Sequence, residues 1–177
     1  IQQTRKEERA LFHLQNAVIR DCVFEKGESP LKESKNIELD TTMFRWKYPV
    51  WYSNHVDMKN CTLFETARSG IWYTNDIRIT DSIIEAPKTF RRGRGITLEN
   101  VYLPNAEETF WNCENVVLKN VNARGNYFGF NTNHIQIDGL TLSGNYAFDG
   151  SHDVEMHNSR LLSKDAFWNT ENVTVYD

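Results

Sequence analysis

Short alternating apolar runs return every 19 to 21 residues along this 177-residue chain, and that period limits the fold more than any other feature. The first apolar residue of each run is Ala17, Ile37, Val56, Ile77, Ile96, Val116, Ile135, Val154 and Val173. Two residues later comes a second column: Ile19, Leu39, Met58, Ile79, Leu98, Leu118, Ile137, Met156 and Val175. A period of two marks a strand with one buried face, and its return at a fixed interval marks a solenoid.

Four residues after each first apolar position stand Asp21, Thr41, Asn60, Asp81, Asn100, Asn120, Gly139, Asn158 and Asp177. Asn, Asp and Gly accept the left-handed backbone conformation, so this column predicts a sharp bend. A second short strand follows, with inward pairs such as Cys22/Phe24, Cys61/Leu63 and Val101/Leu103. A third carries Phe12, Leu31, Trp51, Trp72, Phe90, Phe110, Phe130, Phe148 and Phe167, about one coil apart, which reads as an internal aromatic ladder. Polar residues close each cycle, often Asn: Asn16, Asn36, Asn54, Asn75, Asn115, Asn133 and Asn172. Stacked amides can bond to the coil above and below and fix the register. Three short strands per cycle, with no 3.6-residue pattern, predict an all-β, right-handed parallel β-helix of about nine coils. A leucine-rich repeat is the nearest rival, but it needs a helical or extended convex segment where this chain has a further β-like aromatic run.

One domain spanning 1–177 is expected, with residues 1–9 as a charged N-terminal cap or tail. Acidic and basic residues are mixed along the chain and net to −4, so no basic field awaits nucleic acid or an anionic membrane. No apolar run approaches the ~20 residues of a membrane-spanning helix, and the start IQQTRKEERALFHL lacks a signal-peptide pattern. The expected location is therefore cytoplasmic. Cys22, Cys61 and Cys113 lack metal or redox spacing and read as reduced core residues. The histidines show no metal-motif spacing either, and no cofactor is expected.

The segments ERALFHLQNAVIRDCVF, GESPLKESKNIEL, KYPVWYSN, GIWYTNDI, EAPKTFRR, NYAFDGS and SKDAFWNTENVTVYD resemble the bacterial family called domain of unknown function 3737, from about Glu8 to Asp177. The resemblance implies a place among pectin-lyase-like right-handed β-helices. It implies no catalytic residues, and it implies that further C-terminal coils follow in the family.

On the aromatic strand, the residue after each ring gives a candidate outward column that includes His13, Lys32, Tyr52, Tyr73, Arg91, Trp111, Asn131, Asp149 and Trp168. Of these, Tyr52, Tyr73, Arg91, Trp111, Asn131, Asp149 and Trp168 are the candidate ligand-binding residues. Flat rings can stack on pyranose faces, while Arg, Asn and Asp bond hydroxyls or carboxylates. The run Arg91-Arg92-Gly93-Arg94-Gly95 could neutralise an acidic sugar or serve only as a solvated turn. Asp149, Glu108 and Asp165 are the carboxylates that could form a glycosidase pair, which must face each other across about 5–9.5 Å. Asn131-Thr132-Asn133 and Gly150-Ser151-His152 only partly match polygalacturonase signatures, whose remaining parts are missing. Outward Glu38, Asp40 and Asp57 read as salt-bridged strand surface beside Lys59 and Arg78.

These features predict a carbohydrate-associated solenoid that binds an oligosaccharide or polysaccharide along the outward face of the aromatic strand. The alternatives are a non-catalytic scaffold or protein-interaction solenoid, and a polysaccharide lyase or glycoside hydrolase. No catalytic residue can be assigned. End-to-end self-association through an open C-terminal coil is also expected, because the last cycle stops just after Val173 and Val175.

Overall fold

The computed structural model describes residues 9–176, so most of the N-terminal cap expected at 1–9 lies outside the described residues, as does Asp177 of the bend column. In chain order the strands are β1 (Gln15–Arg20), β2 (Val23–Phe24), β3 (Lys35–Asp40), β4 (Met43–Phe44), β5 (Asn54–Lys59), β6 (Thr62–Leu63), β7 (Ile71–Trp72) and β8 (Asn75–Ile84). They continue with β9 (Phe90–Arg91), β10 (Arg94–Leu103), β11 (Glu114–Arg124), β12 (Asn133–Ser143), β13 (His152–His157), β14 (Arg160–Leu162) and β15 (Glu171–Val175). The described residues contain no α-helix, only one short 3₁₀ turn at Glu65–Ala67.

Every strand pairing is parallel, and the main sheet runs β1-β3-β5-β8-β10-β11-β12-β13-β15. The register follows the repeat: Ala17 pairs with Ile37, Ile37 with Val56, Val56 with Ile77, and so on to Val154 with Val173. The chain is thus a parallel β-solenoid of about eight turns, and the two apolar columns on the main sheet are inward as the alternation predicts. Phe24 and Phe44 stack on the buried side of β2 and β4 at 5.0 Å and 5°.

The cross-section differs from the three-strand cycle expected from the sequence. Each full turn makes four left-handed bends, as at Asp76, Asp81, Lys88 and Arg92, before the next turn opens at Gly95. The bend at Asp21, Thr41, Asn60, Asp81, Asn100, Asn120, Gly139 and Asn158 is the one read from the sequence. The first bend was read only in part, through the closing Asn column, and the third and fourth escape because they accept Tyr, His, Arg, Lys, Glu and Ser beside Asn and Asp; Tyr48, Tyr52, Tyr73, Tyr127 and Tyr146 all have φ between 51° and 59°. For such residues the conformation costs about 1–2 kcal/mol each. Coil-to-coil hydrogen bonds offset it: the Tyr52 amide donates to the Trp72 carbonyl at 3.0 Å, and the Tyr73 amide to the Arg91 carbonyl at 2.8 Å.

Polar side chains also bond from coil to coil. Asn36 donates to Asn16 at 2.8 Å, Asn100 to Asp81 at 2.9 Å, Asn120 to Asn100 at 2.8 Å and Asn158 to Asp138 at 2.8 Å. The closing amide column is in fact two neighbouring columns. Asn16, Asn36, Asn115 and Asn172 occupy a left-handed bend, whereas Asn54, Asn75 and Asn133 stand one residue earlier.

A buried hydroxyl column was not visible in the sequence reading. Ser53 accepts the Ser34 amide at 3.1 Å and donates to the Leu31 carbonyl at 2.7 Å. Thr74 accepts the Ser53 amide at 3.2 Å and donates to the Val50 carbonyl at 2.9 Å. Thr132 and Ser151 repeat the pattern on the carbonyls of Phe110 and Gly129. Each hydroxyl satisfies main-chain groups on the preceding coil that would otherwise be buried unpaired.

Candidate functional site

The third and fourth bends of each turn enclose a short face whose strand fragments include β7 and β9. Its inward residues are Leu31, Val50, Ile71, Phe90, Phe110 and Phe148, all buried, with Gly129 in the same column. The expected internal aromatic ladder therefore needs correcting. Phe90, Phe110, Phe148 and Phe167 follow the inward column, but Phe12, Trp51, Trp72 and Phe130 are one residue out of register and stand on the outer side. Sequence alignment by ring could not separate them, because several turns carry aromatic residues in both columns.

The outer middle column is Phe12, Lys32, Trp51, Trp72, Arg91, Trp111, Phe130, Asp149 and Trp168. Of the candidate binding residues, Arg91, Trp111, Asp149 and Trp168 belong to it. Tyr52, Tyr73 and Asn131 instead occupy the adjoining fourth bend, together with Arg92 and Asn112. The candidate column is therefore two parallel columns on one edge of the solenoid.

Stacking builds the middle column. The Trp51 and Trp72 rings lie 5.1 Å apart at 8°, and the Arg91 guanidinium sits 4.5 Å from the Trp72 ring and 4.9 Å from the Trp111 ring. Phe130 continues the column 5.0 Å from Trp111. Three indoles of the column are fixed by their N–H: Trp51 donates to the Ser69 carbonyl at 2.5 Å, Trp72 to the Lys88 carbonyl at 2.8 Å and Trp111 to the Tyr127 carbonyl at 2.9 Å. The Trp51 and Trp72 rings consequently face each other across the coils, while Phe130 is tilted 45° against Trp111.

Tyrosines from the bends flank this column on both sides. Tyr52 and Tyr73 stack at 4.6 Å and 1°, with the Lys32 ammonium 5.6 Å from the Tyr52 ring. On the opposite edge Tyr48 packs 4.7 Å from Trp51, and Tyr127 stacks on Tyr146 at 5.0 Å. Tyr48, Tyr127 and Tyr146 were missed by the sequence reading; the available signal was a tyrosine three residues before Trp51 and Phe130. Glu108 sits beside two cations, 2.9 Å from Lys88 and 3.7 Å from Arg91. The Arg91 Nε is buried without a hydrogen-bond partner.

The arginine run does not act as one patch. Arg91 enters the ladder, Arg92 takes the exposed bend, and Arg94 pairs with Glu114 on the main sheet at 2.9 Å. Glu108 and Asp165 occupy the third bend while Asp149 stands in the middle column, on rungs separated by at least one coil. They line up along one face and do not confront each other across a cleft. On the main sheet, Glu38, Asp57 and Arg78 line a shallow groove of about 830 Å³ whose edge carries the His55–Asp76 pair at 3.7 Å. His134, His152 and His157 likewise pair with Asp153, Glu171 and Glu155. Among the described residues, no group of three or more His, Cys, Asp or Glu is placed to hold a metal ion.

No curated protein matches the chain. Among solved structures it is similar to QnrB1, a plasmid-mediated fluoroquinolone resistance protein, at 11% identity and TM-score 0.38, covering 94% of each chain. It is also similar to HetL, a pentapeptide repeat protein involved in heterocyst differentiation regulation from the cyanobacterium Nostoc sp. strain PCC 7120, at 9% identity and TM-score 0.30, covering 93% of this chain and 89% of that one. A family model matches the repeat over residues 1–177, so the chain belongs to the family described as Protein of unknown function (DUF3737).

Proposed function

We propose that the protein is a non-catalytic binding scaffold that engages its ligand along the aromatic and guanidinium edge. The observation that carries this reading is the column from Trp51 to Phe130, in which Trp51 stacks on Trp72, Arg91 bridges Trp72 to Trp111, Phe130 packs tilted on Trp111, and hydrogen bonds hold the three indoles before any ligand arrives. Such preorganisation reduces the conformational entropy lost on binding. Tyr, Trp and Arg are also the residue types that carry most of the binding energy at recognition surfaces.

Carbohydrate is the ligand class that a small set of residues on this edge could recognise. Sugar stacking needs a free ring face, and the faces within the ladder are occupied by one another. The usable positions are Tyr73, whose face toward Arg92 has no ring or cation partner among the described residues, and Trp168, 53% exposed and only tilted against Tyr146. Arg92, Asn112 and Asn131 continue from Tyr73 along the fourth bend and supply hydroxyl partners. The occupied ladder faces favour a second reading, a protein partner that contacts ring edges.

An immobilised oligosaccharide panel, followed by a reducing-end assay, separates these readings. Glycan binding that is lost in Tyr73→Ala and Trp168→Ala, without release of new reducing ends, supports the carbohydrate scaffold. New reducing ends would replace it with an enzyme. Silence across the panel would withdraw the carbohydrate form and leave the protein-partner reading.

A further inference from the structure

A different face carries a second, independent surface. Between the second and third bends the outward residues Val23, Met43, Thr62, Ile83 and Tyr102 pair in unbroken register from coil to coil. Met43, Ile83 and Tyr102 are 36%, 42% and 48% exposed. Scattered apolar side chains are ordinary on a surface, but a contiguous stripe on a strand face marks an interaction site. On the next rung the column turns polar, at Asn122.

The neighbouring outward column begins with Glu25, paired with Arg45 at 3.2 Å, and reaches Arg124 on the rung of Asn122. Arg124 has no ion pair among the described residues. A two-fold axis lying in this face along the strand direction, midway between the Thr62 and Ile83 rungs, reverses the order of coils and keeps each column opposite itself. Met43 then meets Tyr102 of a second copy, Thr62 meets Ile83, and Glu25 meets Arg124. Met43 is thereby matched with an apolar partner, and the cation of Arg124 with a carboxylate. We infer that two copies of this chain associate face to face and antiparallel through the Met43–Ile83–Tyr102 stripe. Such an interface is isologous, so each pairing occurs twice.

Sedimentation across a concentration series tests the inference. The wild-type chain should form dimers. Ile83→Glu and Tyr102→Glu should sediment as monomers with unchanged circular dichroism, because both side chains lie outside the core. Arg124→Glu and Glu25→Arg should each raise the dimer dissociation constant about tenfold or more, since each places like charges opposite each other twice. An equal mixture of those two variants should recover heterodimers, because both pairs are then opposite in sign. A monomeric wild type would overturn the proposal. So would a dimer unaffected by Ile83→Glu, which would locate association elsewhere, as at the last coil. A mixture of the charge variants that fails to recover would overturn the antiparallel register.

Discussion

The guanidinium of Arg91 lies 4.5 Å from the ring of Trp72, one coil below it, and fills the place that an aromatic ring takes elsewhere in the same column. It joins the Trp51–Trp72 pair to Trp111 and Phe130, so the ladder is continuous through a charged residue. Planarity lets guanidinium stack where an ammonium would act only as a point charge.

Arg91→Lys should therefore weaken the ladder even though the charge is kept. A loss of about 1–2 kcal/mol is expected for Arg91→Ala, from two cation–π contacts, and Arg91→Lys should recover less than half of it. Urea denaturation measures the loss, and near-ultraviolet circular dichroism reports the indole environment. Equal stability of wild type and both variants would show that the stack contributes nothing.

Asn120 has φ 49° and donates to Asn100 at 2.8 Å. Asn120→Val should cost about 1–3 kcal/mol despite adding apolar surface, because a β-branched residue is strained in the left-handed region and the amide bond is lost. Asn120→Gly should cost less than Asn120→Val, since it removes the bond without adding strain. Thermal denaturation of the pair gives the order, and an equally stable valine variant would contradict the bend.

The same contrast explains what could be read in advance. The main-sheet columns and the bend at Asn120 were legible because alternating aliphatic residues and Asn/Asp are distinctive at that spacing. Trp72 and Phe90 were not separable by type: one stands outside and the other inside, and their sequence separation of 18 residues looks like one coil. Register there is set by main-chain pairing, Ile71 with Phe90 and Trp72 with Arg91, which shifts the ring by one position. Tyr52, Tyr73 and Asn131, read in one column with Arg91 and Trp111, stand one column away from them at the fourth bend. The Ser53 and Thr74 hydroxyls gave no signal because Ser and Thr are common in turns, and only the fold brings them to buried carbonyls.

Burial pushes the Cys113 thiol up to about 12 and the Cys61 thiol up to about 11. A folded-state value raised above the unfolded one means that stability is fully present below the unfolded thiol's titration, near 9.0, and is lost as pH rises toward the folded values. Stability should therefore decline above about pH 9 through thiol ionisation in the unfolded chain. Cys113→Ser should show a shallower decline over pH 9–11 in denaturant titrations, and the two native thiols should resist alkylation at pH 8. Rapid alkylation of both without unfolding would show that they are accessible.

The ladder stands outside the core, while the preceding residue on the same face points inward, as Phe90, Phe110 and Phe148 do. Phe110 is buried, whereas its neighbour Trp111 stacks on Arg91 at the surface and donates to Tyr127. Chemical denaturation of Phe110→Ala and Trp111→Ala compares the two positions directly. The expected costs are about 3–5 kcal/mol for Phe110→Ala, from an opened cavity, and about 1–2 kcal/mol for Trp111→Ala, from one hydrogen bond and its stacking. Equal losses, or a larger loss for Trp111→Ala, would contradict the assignment of inner and outer faces.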